Sequence, residues 1–175
     1  MGGVLLPLLV LQENPGKFLP DIFLVGHEDH DGSKRDGCDI EVAQVTSRQY
    51  AGKFVHSTHP NLRGSTKMKF SLVDELAPCD VLFLALPHGE AQKQIEKCMS
   101  LAPKIVDLSA DFRLKDAALY KKWYGEDHMA PQYLGKFVYG LPELQRDAMK
   151  TASCISGVGC NATVSNLALL PLVKA

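Results

Sequence analysis

The stretch DVLFLAL, residues 80–86, constrains the fold more than any other part of this chain. It is an unbroken apolar run bounded by Pro78 and Pro87, the pattern of a strand covered on both faces. Directly after it, EAQKQIEKCMSLA (90–102) reads as an amphipathic helix, with Ile95, Cys98, Met99 and Ala102 on one side. KIVDLS (104–109) then returns to a short strand. The alternation extends along the chain from about Asp39. IEVAQVT (40–46) reads as a strand, and DAALYKKWYG (116–125) as a helix N-capped by Asp116 and stopped by Gly125. PELQRDAMK (142–150) predicts a further helix with Pro142 in its first turn. ASCISG (152–157) leads into a last helix-like run, which Pro171 should bend or end near Leu170. Strands alternating with helices predict an α/β fold with an open, mostly parallel sheet. Ligands of such sheets bind beyond the carboxyl ends of the strands, so the residues there are the candidates.

Residues 1–38 break the pattern. They carry NPG and GHEDHDGSKRDG and no clear helix, and none of their glycines makes a GxGxxG or GxxGxxG turn for a pyrophosphate. The expected division is an atypical N-terminal segment, 1–38, and a Rossmann-like domain, 39–175. GVLLPLLVL near the start lacks the basic residues and cleavage site of a secretory signal. The five cysteines form no CxxC pair, which suits free thiols in a reducing cytoplasm. A net charge of −1, from 19 basic and 20 acidic residues, argues against nucleic-acid and anionic-membrane partners. No apolar run reaches the ~18 residues of a membrane span.

Ser47, Arg48 and Gln49 follow the 40–46 strand, where an acidic residue would bind the ribose of NAD. A hydroxyl and a guanidinium instead suit the 2′-phosphate of NADP, or stand in a solvated turn. After 80–86 come Pro87, which stops the strand, His88, a base or a wall residue, and Gly89, which lets backbone approach a ligand. After 104–109, Ser109, Asp111 and Arg113 line the same crevice, or Asp111 and Arg113 pair to hold the loop. The spacings of His27 with His30 and of His56 with His59 lack a helix and a third ligand, so no metal is expected. GVGC (157–160) reads as a tight strand-to-helix turn. The unpaired amides and dipole of a helix start favour a thiolate, and Asn161 and Thr163 stand nearby as donors. Cys160 is thus a candidate nucleophile; the alternative is a small apolar residue buried in a turn.

VTSRQYAG, HPNLRG, FLALPHG, VDLSADFRLKD, YKKWYG, VYGLPEL and GCNAT occur in this order. Together they resemble the N-acetyl-gamma-glutamyl-phosphate reductase family from about Asp39 to Ala175. GCNAT lacks the aromatic residue and proline that usually follow the family's cysteine. It is similar instead to the relatives that reduce aminoadipate 6-phosphate on a small acidic carrier protein. The resemblance implies a Rossmann-like, doubly wound sheet with helices on both faces, and NADP as cofactor. It assigns the nucleophile to Cys160 and the adenosine-ribose phosphate contact to Ser47, Arg48 and Gln49. Pro87, His88 and Ser109, which follow the next two strands, are the further expected cofactor contacts. The resemblance implies reduction of an acyl phosphate to a semialdehyde through a cysteine thioester, in arginine or lysine biosynthesis. A homo-oligomer and a second, α+β domain are also implied; these 175 residues do not contain that domain, so turnover by them alone is not expected. Two alternatives stand beside this one. One is a non-catalytic fragment of such a reductase. The other is an aspartate-semialdehyde dehydrogenase-like enzyme, against which SADFRLKD and HPNLRG speak.

Overall fold

The computed structural model describes residues 22–28 and 40–174, with backbone alone for 22–28 and 40–41. Its strands are β1 (Ile22–Glu28), β2 (Ile40–Val45), β3 (Val81–Ala85), β4 (Lys104–Asp107), β5 (Phe137–Tyr139) and β6 (Cys154–Ser156). They form one six-stranded sheet in the order β2-β1-β3-β4-β6-β5. The helices are α1 (Val55–Thr58), α2 (Ala91–Leu101), α3 (Ala117–Tyr124), α4 (Pro142–Thr151) and α5 (Cys160–Lys174).

β3, β4, β6 and β5 run parallel. The chain moves one way along the sheet from β3 to β4 through α2, and the opposite way from β5 to β6 through α4. Crossovers between parallel strands are right-handed, so this reversal sets α2 and α4 on opposite faces. That is the doubly wound α/β arrangement.

One face is tightly packed. Leu82, Ile105, Cys154 and Phe137 stand in register across the four parallel strands at 0%, 1%, 6% and 1% exposure. α2 covers this row with Ala91, Ile95, Cys98 and Ala102, while Met99 packs at the margin. Leu82, Ile95, Ile105 and Phe137 each contribute about 1.5–3 kcal/mol by leaving water. The same burial pushes the Cys98 thiol up to about 12. The other face differs from the expectation for DVLFLAL: Phe83 and Ala85 are half-buried, and neither α4 nor α5 has a buried residue. An unbroken apolar run records the strand, but cover on its second face depends on what other segments bring.

The capping signals acted as expected. Asp116 Oδ1 accepts N–H bonds from Ala118 at 2.7 Å and Leu119 at 3.2 Å, Gly125 closes α3 at φ 83°, and Pro142 opens α4. Pro171 does not end its helix: α5 continues through it to Lys174. The helix is exposed there, so water can satisfy the carbonyl that loses its partner.

Two strands were not legible in the sequence. β5 has three residues, too few to show a period. β1 lies within 1–38 and runs antiparallel to both β2 and β3, with Ile22 opposite Ala85 and Gly26 opposite Val81. β1 therefore enters the sheet at the carboxyl end of β3 and leaves at the opposite edge. The remaining residues of 1–38, with Cys38 and the His30 of the first histidine pair, lie outside the described residues.

Candidate functional site

The loops at the carboxyl ends of β2, β3, β4 and β6 form one connected edge. After β3, Pro87–Glu90 is a turn closed by Glu90 N–H to Pro87 O at 3.1 Å, with Gly89 at φ 83°. A side chain at Gly89 would be strained by that backbone, which is why glycine stands there. Asp111, fully buried, reaches across from the β4 loop. It accepts the N–H of Gly89 at 2.7 Å and of Gln92 at 3.0 Å, capping α2 from another segment. His88 Nδ1 lies 3.0 Å from the same carboxyl group.

His88 is thereby oriented. Gln92 Nε2 donates to Tyr120 Oη at 3.2 Å, which leaves the tyrosine proton for His88 Nε2 at 3.3 Å. Nδ1 thus faces Asp111 and Nε2 faces the Tyr120 hydroxyl, which fixes the plane of the ring. Glu126 stands 3.5 Å from Nε2, and the rings of Tyr124 and Tyr120 flank the imidazole at 4.5 Å and 5.8 Å. Burial pushes the Tyr120 hydroxyl up to about 12. His128 is held as the neutral ring. Its Nδ1 accepts from Ala130 N–H, its Nε2–H reaches Asp111 O, and burial lowers its pKa.

At the end of β4, Asp107 accepts both the N–H and the hydroxyl of Ser109, at 3.0 Å and 2.8 Å, and Ser109 Oγ accepts Asp111 N–H at 3.1 Å. Burial raises Asp107 to about 6 against the pull of these bonds. Phe112 enters the core, stacked on Phe137 at 4.2 Å. Arg113 then turns to the end of β6, where its Nε donates to Gly157 O at 2.8 Å. Gly157 N–H in turn meets Asp107 O at 2.6 Å.

Cys160 begins α5 and is exposed, its Sγ 3.9 Å from Asn161 Oδ1. Cys79, Cys98 and Cys154 are buried, and burial raises each of those thiols. Cys160 is therefore the accessible thiol among the described residues. Thr163 is not a donor toward it, because its hydroxyl is spent on Gly159 O at 2.9 Å.

At the end of β2, Ser47 is 1% exposed and its Oγ accepts Tyr50 N–H at 3.3 Å, while Arg48 and Gln49 are exposed. Arg48 lies 3.9 Å from Glu90, so the 47–49 turn and the 87–90 turn touch. The expected Asp111–Arg113 pair is not formed; the two side chains diverge to α2 and to β6. Ser109 is committed within its own loop, its hydroxyl donating to Asp107 and accepting Asp111 N–H. Among the described residues no three His, Cys, Asp or Glu side chains converge on a metal position. His56 stacks on Phe54 instead, and His59 lies against Phe70. No helix there is long and apolar enough to cross a membrane.

The sequence pattern described as "Semialdehyde dehydrogenase, NAD binding domain" matches residues 35–152. The chain belongs to that family. The family match ends before Cys160. Over 137 residues the chain is 50% identical to a putative [LysW]-L-2-aminoadipate 6-phosphate reductase of Thermomicrobium roseum, covering 78% of this chain and 39% of the relative. It is 50% identical over 135 residues to the [LysW]-L-2-aminoadipate 6-phosphate reductase of Deinococcus radiodurans, covering 77% and 39%. It is 43% identical over 139 residues to the N-acetyl-gamma-glutamyl-phosphate reductase of Laribacter hongkongensis, covering 78% and 41%. The chain thus spans about two-fifths of the length of these relatives, and both groups expected from its motifs are among them.

Gln92, Tyr120, Tyr124, Glu126 and His128 escaped the sequence reading. Tyr120 and Tyr124 stand in the YKKWYG stretch, which by itself points to no site, and Gln92, Glu126 and His128 carry no motif spacing; packing alone brings them together near His88 and Asp111.

Proposed function

We propose that this chain is the nucleotide-binding and nucleophile-bearing part of an NADPH-dependent reductase that converts an acyl phosphate to a semialdehyde. The observation that carries this reading is a continuous line of contacts along the carboxyl edge. It runs from Arg48 to Glu90, through His88 to Asp111, and through Arg113 to the turn before Cys160. A cofactor laid along that edge and an acyl group at Cys160 would share one surface.

Arg48 and Gln49, exposed beside Ser47, fit the adenosine-ribose phosphate of NADP, since a guanidinium fork matches phosphate oxygens. Pro87 and His88 would flank the dinucleotide, with Ser109 behind them. The pyrophosphate has a poorer fit: the Gly89 and Gln92 amides are taken by Asp111, and β1 exits at the far edge. When bound, NADPH supplies the hydride that reduces a thioester to the aldehyde level. The part of this chain is the thioester itself. The Cys160 thiolate attacks the acyl carbon, the S–C bond forms, the bond to the phosphate oxygen breaks, and inorganic phosphate leaves. The exposed position of Cys160 gives a substrate access to it. The first-turn amides of α5 are suited to the oxyanion of the tetrahedral intermediate.

The substrates we favour are N-acetyl-glutamyl 5-phosphate or aminoadipate 6-phosphate on a carrier protein, by analogy with the relatives. We also infer a homo-oligomeric protein in the cytoplasm; four free cysteines among the described residues suit that compartment.

Incubation with acetyl phosphate and then N-acetyl-glutamyl 5-phosphate should add one acyl group to Cys160, read by peptide mass spectrometry and absent in Cys160→Ser. Acylation elsewhere, or none, sinks the nucleophile reading. NADPH should bind about tenfold tighter than NADH, and Arg48→Ala should equalise them. Equal affinities in the wild type would remove the NADP assignment. The antiparallel β1 favours a second reading, a chain that keeps the nucleophile without holding the dinucleotide unaided. Acylation of Cys160 with no measurable binding of NADPH would select it.

A further inference from the structure

Three consecutive residues of the β4 loop pin three different elements. Asp111 caps α2, Phe112 stacks in the core on Phe137, and Arg113 reaches the β6–α5 turn. The base of Arg113 is therefore fixed before its side chain extends. Its Nε donates to Gly157 O at 2.8 Å and its Nη2 lies 3.5 Å from Leu108 O, so the fork bridges the ends of β4 and β6. The third nitrogen, Nη1, sits beside Gly159. A Cβ on Gly159 would stand 3.0 Å from that atom, closer than side chains ordinarily pack. Gly159 is the residue immediately before Cys160, and its carbonyl accepts both the N–H and the hydroxyl of Thr163 at 2.9 Å, closing the first turn of α5.

We propose that Arg113 is a positioning residue for Cys160: its guanidinium clamps the Gly157–Gly159 turn, and Gly159 lacks a side chain so that the fork can seat. The inference rests on the reading of Cys160 as the nucleophile. α5 has no buried residue to fix it against the sheet, so the placement of its first residue depends on the turn that precedes it. A planar fork with three nitrogens in fixed geometry can hold two carbonyls and lie along a glycine at once; a single ammonium cannot.

The test is the pH profile of iodoacetamide labelling at each cysteine of the full 175-residue chain, resolved by peptide mass spectrometry. The wild type is compared with Arg113→Ala, Arg113→Lys and Gly159→Ala. Loosening the turn that seats Cys160 at the start of α5 is expected, in all three variants, to slow Cys160 about three- to tenfold at pH 7 and to move its profile to higher pH. Arg113→Lys should fail to rescue, because it restores the charge without the fork. Gly159→Ala should act in the same direction with the arginine still present, because the new methyl displaces Nη1. Cys79, Cys98 and Cys154 report folding in the same samples: they must stay protected. If a variant exposes them, amide exchange of the 155–162 peptide at a temperature where they are protected again decides the matter, with faster exchange than wild type expected. Unchanged Cys160 profiles in folded Arg113→Ala and Gly159→Ala overturn the clamp, as does full rescue by lysine. A wild-type Cys160 that labels like an unfolded-peptide thiol is a different failure, visible without any variant. It removes the nucleophile reading, and this proposal with it.

Discussion

Around the ends of β3 and β4, Asp107, Ser109 and Asp111 are 0%, 5% and 0% exposed and are bonded to one another and to α2. One strand further along the sheet, α5 leaves β6 with no buried residue, and Cys160 stands exposed at its start. The same edge of the same sheet therefore holds a polar loop built like a core and a cysteine-bearing turn built like a surface. The difference shows where each cost falls. A buried carboxylate is tolerable only when its lone pairs are filled, which forces a rigid, fully bonded loop. A nucleophile, the role we propose for Cys160, must meet a substrate and cannot be enclosed in that way. Arg113 is the side chain that passes from one region to the other, and on our proposal it lends the turn its rigidity.

The comparison is broken most directly at Asp111. Asp111→Ala strands the amides of Gly89 and Gln92 and frees His88, and should cost about 3–5 kcal/mol in denaturant unfolding. Asp111→Asn, which keeps one acceptor, should lose roughly half of that. A loss under about 1 kcal/mol for the alanine variant would mean that the loop is not the rigid partner.

A smaller effect belongs to Asp107. Burial sets its folded pKa at about 6, above that of an unfolded carboxylate, so folding favours the protonated form. Its contribution is fully present below about pH 4 and is lost as the pH rises through about 6, a fall of about 3 kcal/mol between those limits. Asp107→Asn should flatten this part of the stability–pH curve. An unchanged slope would place the titration on another group.

The smallest effect is expected on α5. Val164 and Leu172 are 69% and 75% exposed, so Val164→Lys and Leu172→Lys should each shift stability by less than about 0.5 kcal/mol. A loss above about 2 kcal/mol in either would show α5 packed against something in solution and would erase the contrast between the two regions.

Much of the fold was written locally. DVLFLAL, the heptad-like spacing of Ile95, Cys98 and Ala102, and the Asp116 and Gly125 caps each act through near neighbours, and each produced its element. β5 is too short to show a pattern. The orientation of β1 is a pairing choice that no local spacing encodes. Within the candidate site, Arg48, His88, Asp111, Arg113 and Cys160 were identifiable as residues that follow strands. Their partners were not. Asp111 and Arg113, two apart in sequence with opposite charge, suggested a pair, and each found a stronger partner elsewhere: backbone amides for the carboxylate, a strand-end carbonyl for the guanidinium.

By itself the sequence determined the alternation of strand and helix, the two ends of α3, the start of α4 and the residue types at the carboxyl edge, because these depend on periodicity and on hydrogen bonds within a few residues. Only the tertiary structure decided that β1 runs against its neighbours, that Asp111 caps α2 across 19 residues of chain and that Arg113 reaches Gly157 across 44. Buried polar atoms must be satisfied by whatever donors and acceptors packing brings near, and that neighbourhood exists only once the sheet has formed.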